Sequence, residues 1–216
     1  MKIENSYLAT VDFKPLRDHV LQELRHKLPR GLCYHGYQHT IEVYESARIL
    51  SICSGLDVNS QRLVLTAALT HDIGYIETAN GHEQAGVEWI KTHLPHFDYS
   101  PEEIADISTL VLDTDLALDI HHPYSGLLRD ADLDYLGTED FYRIGNRLFQ
   151  EFKYQGIVRD TWDWNQLQVN FLKHHTYHTP FSKINREPLK QRYLHELDHW
   201  LLEHPSPLYM ASEKKL

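Results

Sequence analysis

The sequence has few of the residues that build disulfide frameworks, flexible linkers or membrane spans. Its 216 residues include 2 cysteines, 10 glycines and 9 prolines, and the glycines and prolines do not cluster. Two cysteines are too few for a disulfide framework, and without a linker-like segment we expect one domain, residues 1–216. No apolar run approaches the roughly 20 residues that a transmembrane helix needs. We therefore expect no membrane partner.

The first residues, MKIENSYLATVDF, lack the basic start and apolar block of a signal peptide, so we expect a cytoplasmic protein. Basic residues are also in deficit, because 21 Lys and Arg against 31 Asp and Glu give a net charge of −10. Such a charge repels nucleic-acid backbones and anionic membranes. A DNA or RNA duplex is therefore not expected as a partner, and the oligomeric state stays open.

Apolar residues recur at helical spacing almost everywhere, and strand-like alternation is scarce. Ser100, Pro101 and Glu103 predict a helix N-terminus with a capping box. The pattern predicts an all-α fold. Further helices are expected at 125–136, 139–155, 161–175 and, at the C-terminal end, about 185–203.

Histidine is abundant, with 16 residues, and one of them ends the most apolar helical segment of the chain. His71 and Asp72 follow directly on the apolar run from Ser60 to Thr70. Burying an imidazole and a carboxylate costs several kcal/mol unless something pairs with them. A divalent cation is a good candidate for that partner.

Two other segments offer ligands for such a cation. His35 and His39 are four residues apart in YHGYQHT, so a helix would place them on one face. Asp130, Asp132 and Asp134 alternate with apolar residues in a predicted helix, so at least one carboxylate must lie on its buried face.

In this order, His39, His71-Asp72 and Asp132 resemble the H…HD…D pattern of the HD-domain metal-dependent phosphohydrolases. YHGYQHT resembles the YHN-x-x-H segment of that family, AALTHDIGY its A-A-x-x-HD-x-G segment, and LLRDADLDYLG its DADL-x-x-LG segment. GHE resembles the HE segment that follows HD. The stretch 164–179 is similar to the tail of one bacterial branch of the family.

The resemblance covers about residues 30–180 and implies a helical bundle of the HD-domain type that holds one or two divalent metal ions. It names as metal ligands His39, His71, Asp72 and Asp132. This mixed nitrogen and oxygen set suits Mn, Fe, Co, Ni or Zn, and suits Mg less well. The implied activity is hydrolysis of a phosphomonoester or phosphodiester by a metal-activated water. The substrate would be a small phosphorylated molecule, with a nucleotide among the candidates.

The same resemblance suggests catalytic roles beside the Asp72 ligand. Glu83 would orient or deprotonate the water, although a solvated glutamate in the first turn of a helix is an equally good interpretation. His35 matches the histidine that protonates the leaving oxygen in related cyclic-nucleotide phosphodiesterases. Gly36 stands where their motif has asparagine, which argues against cyclic-nucleotide specificity. His82 is a candidate ligand of a second metal ion.

Arg129 and Lys153 are candidate substrate-binding residues on chemistry alone, since both side chains can clamp a phosphate.

Two other functions remain open on the sequence. One is a non-catalytic module of the same fold that binds a nucleotide or phosphate. The other is a zinc peptidase, because His195, Glu196 and His199 match H-E-x-x-H. Peptidases of that type need a third ligand downstream, and neither Glu203 nor His204 has the usual spacing. We therefore expect a solvated, histidine-rich helix there.

Overall fold

The computed structural model describes residues 14–205, and these divide into two compact units, one ending at Leu133 and the other beginning at Asp134. Every regular element in the described range is helical, which confirms the all-α prediction. None of the described helices is both long and apolar enough to cross a membrane. The N-terminal segment on which we based the absence of a signal peptide lies outside the described residues. The single-domain organisation stays a prediction.

The first unit packs six helices around an apolar core. Its helices are α1 (Lys14–Lys27), α2 (Tyr37–Cys53), α3 (Val58–Thr70), α4 (His82–His93), α5 (Pro101–Leu112) and α6 (Ser125–Asp132). Helix α3 is the most enclosed, because every residue from Val64 to Thr70 is buried. The burial agrees with the unbroken apolar run in the sequence.

The capping box predicted at Ser100 is present at the start of α5. The Ser100 hydroxyl accepts a hydrogen bond from the backbone N–H of Glu103 at 3.3 Å, and the Glu103 carboxylate accepts from the backbone N–H of Ser100 at 2.8 Å. Pro101 occupies the first turn, where its missing N–H costs nothing.

A buried aspartate organises the loop that leads from α5 into α6. Asp113 is 1% exposed, and its carboxylate accepts hydrogen bonds from the backbone N–H groups of His121 and His122 and from the Ser125 hydroxyl. Burial raises the pKa of this carboxyl, but these donors outweigh burial and lower the pKa to about 2. The loop thereby fixes the first turn of α6, the helix that ends at Asp132.

Replacing Asp113 by asparagine should therefore destabilise the protein in a pH-dependent way. A carboxyl whose pKa is about 3.8 when unfolded and about 2 when folded stabilises the folded state by about 2 kcal/mol above pH 4. That contribution disappears as the pH falls through 2. Urea unfolding should show a difference between the wild type and Asp113→Asn near pH 6 that shrinks towards pH 2. A difference independent of pH would contradict the assignment.

The described residues of the second unit form four α-helices. They are α7 (Phe141–Tyr154), α8 (Thr161–His174), α9 (Pro180–Asn185) and α10 (Glu187–Glu203). Its core includes a fully buried lysine, Lys190, whose ammonium group donates to the backbone oxygen of His175 at 2.6 Å and pairs with Glu187 at 3.0 Å. These contacts tie the segment after α8 to α10.

The observed helices differ from the predicted ones at three places. Helices α4 and α9 were not predicted, and the helix expected over 125–136 ends at Asp132. Helix α4 begins after Gly81 in a left-handed conformation and has no side-chain cap, so it lacks the usual start signal. Helix α9 has only six residues, too few for a periodic pattern.

Candidate metal centre

The His-Asp pair lies where α3 ends in the interior of the first unit. His71 is the C-cap of α3, and Asp72 follows with φ −102° and ψ 4°, at the start of a 3₁₀ turn (Ile73–Ile76). Both side chains are almost inaccessible, with exposures of 2% and 4%. The sequence folds this way because the apolar run of α3 stays in the core until its last residue.

The backbone fixes which ring nitrogen of His71 faces the other site residues. Its Nδ1 lies 3.0 Å from the carbonyl oxygen of Ala68, which can only accept, so Nδ1 carries a proton. Nε2 is therefore left to face the other site residues. Metal-binding histidines commonly have this arrangement, in which a second hydrogen bond sets the tautomer of the ring.

Four side chains from α2, α3 and α6 converge on one point. Nε2 of His39 lies 3.4 Å from Nε2 of His71 and 3.6 Å from Oδ2 of Asp72. The same Asp72 oxygen is 3.2 Å from Nε2 of His71. Oδ1 of Asp132, at the end of α6, lies 2.9 Å from Nε2 of His39 and 3.7 Å from Nε2 of His71. The structure therefore brings together the four residues predicted as ligands.

One atom of this cluster lacks a partner. Oδ2 of Asp72 is buried and makes no hydrogen bond, although two imidazole nitrogens lie within 3.6 Å of it. Leaving a buried carboxylate oxygen unsatisfied is costly. An unsatisfied carboxylate oxygen that faces two imidazole nitrogens is a typical feature of a cation-binding site.

The electrostatics of the cluster favour positive charge. Burial lowers the pKa of His71, but the nearby Asp72 and Asp132 carboxylates raise it to about 9. Burial likewise raises the pKa of Asp72, and the charge of His71 outweighs it and keeps that pKa far below its ordinary value. The pKa of Asp132 is also lowered, mainly by the contact with His39 against the effect of burial. The carboxylates thus stay ionised in the interior.

The arrangement fits a divalent metal ion. One ligand atom each from His39, His71 and Asp72 lies within 4.8 Å of the others, the only such group of histidine, cysteine and acidic residues between residues 14 and 205. Two imidazoles with carboxylate oxygens suit Mn, Fe, Co, Ni or Zn more than Mg. The identity of the ion stays a prediction.

A second group of side chains lies on the other side of Asp72. Nε2 of His82 is 3.6 Å from Oδ1 of Asp72 and 3.4 Å from Oε1 of Glu83. The rings of His35 and His82 both stack on the ring of Tyr75, with centroid distances of 4.4 Å and 4.0 Å. His35 is also close enough for its charge to contribute to the lowered pKa of Asp72. His35 and His82 therefore border the ligand cluster, and Glu83 lies next to His82.

Sequence reasoning missed Tyr75, which was noticed only as part of the segment after the HD pair. It is buried and lies three residues after Asp72, one turn of the 3₁₀ helix. Its ring orients the His35 and His82 side chains. A 3₁₀ turn after the His-Asp pair brings the residue three positions after Asp72 back to the same face. The spacing from Asp72 to Tyr75 was therefore the signal in the sequence.

A glycine sets the distance between the 3₁₀ turn and α4. A Cβ at Gly74 would lie 1.9 Å from the backbone oxygen of His82 and 2.6 Å from the backbone nitrogen of Gly86. The two backbones therefore approach as closely as glycine permits. This contact places His82 beside Asp72 and Glu83 beside His82.

The two residues predicted to clamp phosphate have other contacts in the structure. Arg129 is buried on α6, and its guanidinium donates to the backbone oxygens of Asp113, Asp115 and Leu118, which gives it a structural role in holding the loop. Lys153 belongs to the second unit, where its ammonium group lies 5.9 Å from the Phe149 ring. A phosphate contact by either residue stays a prediction.

The H-E-x-x-H residues do not form a ligand group. His195 and His199 are exposed on α10. Glu196 accepts a hydrogen bond from the Tyr142 hydroxyl at 2.7 Å, and His199 pairs with Glu203 at 3.3 Å. These contacts agree with a solvated, histidine-rich helix.

Comparison with known proteins adds an independent line of evidence. The crystal structure of a predicted HD superfamily hydrolase from an uncultured Thermotogales bacterium is similar to this chain, with 19% sequence identity and a TM-score of 0.57. The similarity covers 87% of this chain and 92% of that one, and it shows a shared fold. No curated protein matches the chain. The family model of the HD domain matches residues 36–134, the range that holds all four converging side chains. Residues 36–134 of this chain therefore match the HD-domain family, and the fold shared with the Thermotogales protein agrees with that match.

Proposed function

We propose that this protein is a metal-dependent phosphohydrolase that cleaves a phosphomonoester or phosphodiester of a small molecule. The observation that carries the proposal is the convergence of the buried His39, His71 and Asp72 with the partly exposed Asp132, in which Oδ2 of Asp72 has no hydrogen-bond partner. The related Thermotogales protein, described as a predicted hydrolase, supports the same class of activity.

The four converging residues would hold the metal ion. When bound, a divalent ion there would lower the pKa of a water molecule and offset the negative charge of a phosphate group. The chain itself keeps the ligands in place: the Ala68 carbonyl orients His71, and the end of α6 presents Asp132 to His39. The burial of His39, His71 and Asp72 limits competition by bulk water.

Proton transfer is assigned to the residues on the other side of Asp72. His35 would donate a proton to the leaving oxygen. Glu83, held in the first turn of α4 beside His82, would accept a proton from the attacking water. Both roles would require the groups to border the metal ligands, and the proposal is supported by His82, which lies 3.6 Å from Oδ1 of Asp72 and 3.4 Å from Glu83.

Replacing His35 by glutamine should separate proton transfer from metal binding. We expect the metal content to remain that of the wild type, because His35 is outside the ligand cluster. We expect kcat to fall by about 10²- to 10⁴-fold, the usual contribution of a general acid. Metal content by mass spectrometry and steady-state kinetics check both parts. An unchanged kcat would remove His35 from the mechanism.

The proposed activity is tested with a panel of phosphomonoesters and phosphodiesters, including nucleotides, on protein loaded with Mn, Fe, Co, Ni or Zn. Release of phosphate or alcohol that requires the metal would support the proposal. Tight binding of one phosphorylated compound without turnover of any would favour a non-catalytic binding module with the same site.

A further inference from the structure

A cavity in the second unit has the features of a separate binding site. It lies between α7, α8 and α10 and has a volume of about 510 Å³. Small-molecule sites commonly enclose about 300–1,000 Å³. Its lining runs from Tyr142 to Trp200, so it shares no residue with the metal centre.

Aromatic rings form the walls of this cavity. The rings of Phe149 and Trp164 are stacked, with centroids 5.8 Å apart and planes at 27°. Trp200 on α10 contributes a third ring to the lining. Such walls favour a flat ligand with apolar faces.

Two carboxamides supply polar groups that the protein leaves unused. Asn165 and Gln168 line the cavity from α8 and are only 7% and 8% exposed. Neither side chain hydrogen-bonds to another residue in the described range. An amide group that lines a cavity and has no partner in the protein can pair with a ligand that offers it a donor and an acceptor.

The charge of the lining argues against a phosphate at this place. Among the described residues that line the cavity, Glu196 is the charged one. Its carboxylate accepts from the Tyr142 hydroxyl and lies 3.4 Å from Nε of Arg192. A neutral ligand therefore fits better than an anion.

We propose that this cavity binds a neutral purine base, free or as its nucleoside, with Asn165 and Gln168 on the edge of the base. Asparagine and glutamine side chains pair with the N6 and N7 atoms of adenine, and aromatic rings stack on the faces of bases. A free monosaccharide fits this cavity less well than a purine, because hydroxyl groups surround the sugar ring and each needs a hydrogen-bond partner. The site is independent of the proposed hydrolysis.

Calorimetric titration of the full-length protein with adenine and with adenosine tests the proposal. The wild type should bind at least one of them, and which one binds shows whether the ribose is accommodated. Asn165→Leu and Gln168→Met should each weaken binding by at least about tenfold, since each removes a paired amide from a buried contact. Gln166→Met is the matched control, because Gln166 is exposed on the same helix and should bind as the wild type does.

Two further titrations complete the test: the purines with Asp72→Ala, and glucose with the wild type. Asp72→Ala should bind the purine as tightly as the wild type, because Asp72 belongs to the metal centre. Loss of binding in Asp72→Ala alone would place the purine at the metal centre and overturn the proposal. It would also be overturned by no binding at millimolar adenine and adenosine, by unchanged binding in correctly folded Asn165→Leu and Gln168→Met, or by binding of glucose in preference to both purines.

Discussion

Replacing Asp72 by alanine is expected to abolish phosphoester hydrolysis. Asp72 faces His39 and His71 with one carboxylate oxygen and His82 with the other, so its removal affects both groups of site residues. The electrostatic contribution of a metal ion to catalysis is several kcal/mol, and each 1.36 kcal/mol is a factor of ten in rate. We therefore expect kcat/KM to fall by at least about 10³-fold.

The matched control is Asp119→Ala, in which an exposed aspartate of the same unit is removed. Its activity and metal content should equal those of the wild type. Circular dichroism must show that Asp72→Ala remains folded. Full activity of folded Asp72→Ala, with metal still bound, would end the proposal of a phosphohydrolase at this site.

Adding a single methyl group at Gly74 is expected to destabilise the protein strongly. The new Cβ would lie 1.9 Å from the backbone oxygen of His82, and backbone atoms cannot yield as a flexible side chain can. The 3₁₀ turn and α4 would have to separate. We expect Gly74→Ala to lower the free energy of unfolding by at least about 3 kcal/mol, measured by urea denaturation.

Gly86→Ala is the control from the opposite side of the same contact. A Cβ there would meet its nearest neighbours at 3.6 Å, an ordinary contact. Alanine also suits the interior of α4 better than glycine. Gly86→Ala should therefore be as stable as the wild type or more stable. Equal stability of the two variants would show that the close approach at Gly74 is not a determinant of the fold.

The helices that could be predicted are those whose signals are local. The capping box at Ser100 and the apolar run of α3 depend on neighbouring residues, and both are present as expected. Helix α4 lacked a local start signal because Gly81 adopts a left-handed conformation without a side-chain cap. The expected helix over 125–136 was too long because nothing in its own sequence marks the end at Asp132.

The residues of the site that could be predicted are likewise those that lie in segments with a local sequence pattern. His39, His71 and Asp72 lie in segments with strong patterns, and they do meet. Arg129 was interpreted as a candidate phosphate clamp on the chemistry of its side chain alone, and that contact stays a prediction. Its actual partners are backbone oxygens of the preceding loop. Side-chain to backbone contacts across a loop leave no pattern in the sequence, so this role could not be anticipated.

The most direct test of the central claim is the metal content per chain of wild type, His71→Ala and His195→Ala, measured by mass spectrometry after purification. The metal centre described above predicts one or two transition-metal ions in the wild type and in His195→Ala, and loss of metal in folded His71→Ala. Loss of metal in His195→Ala alone would contradict the account and place the metal at the H-E-x-x-H segment of α10.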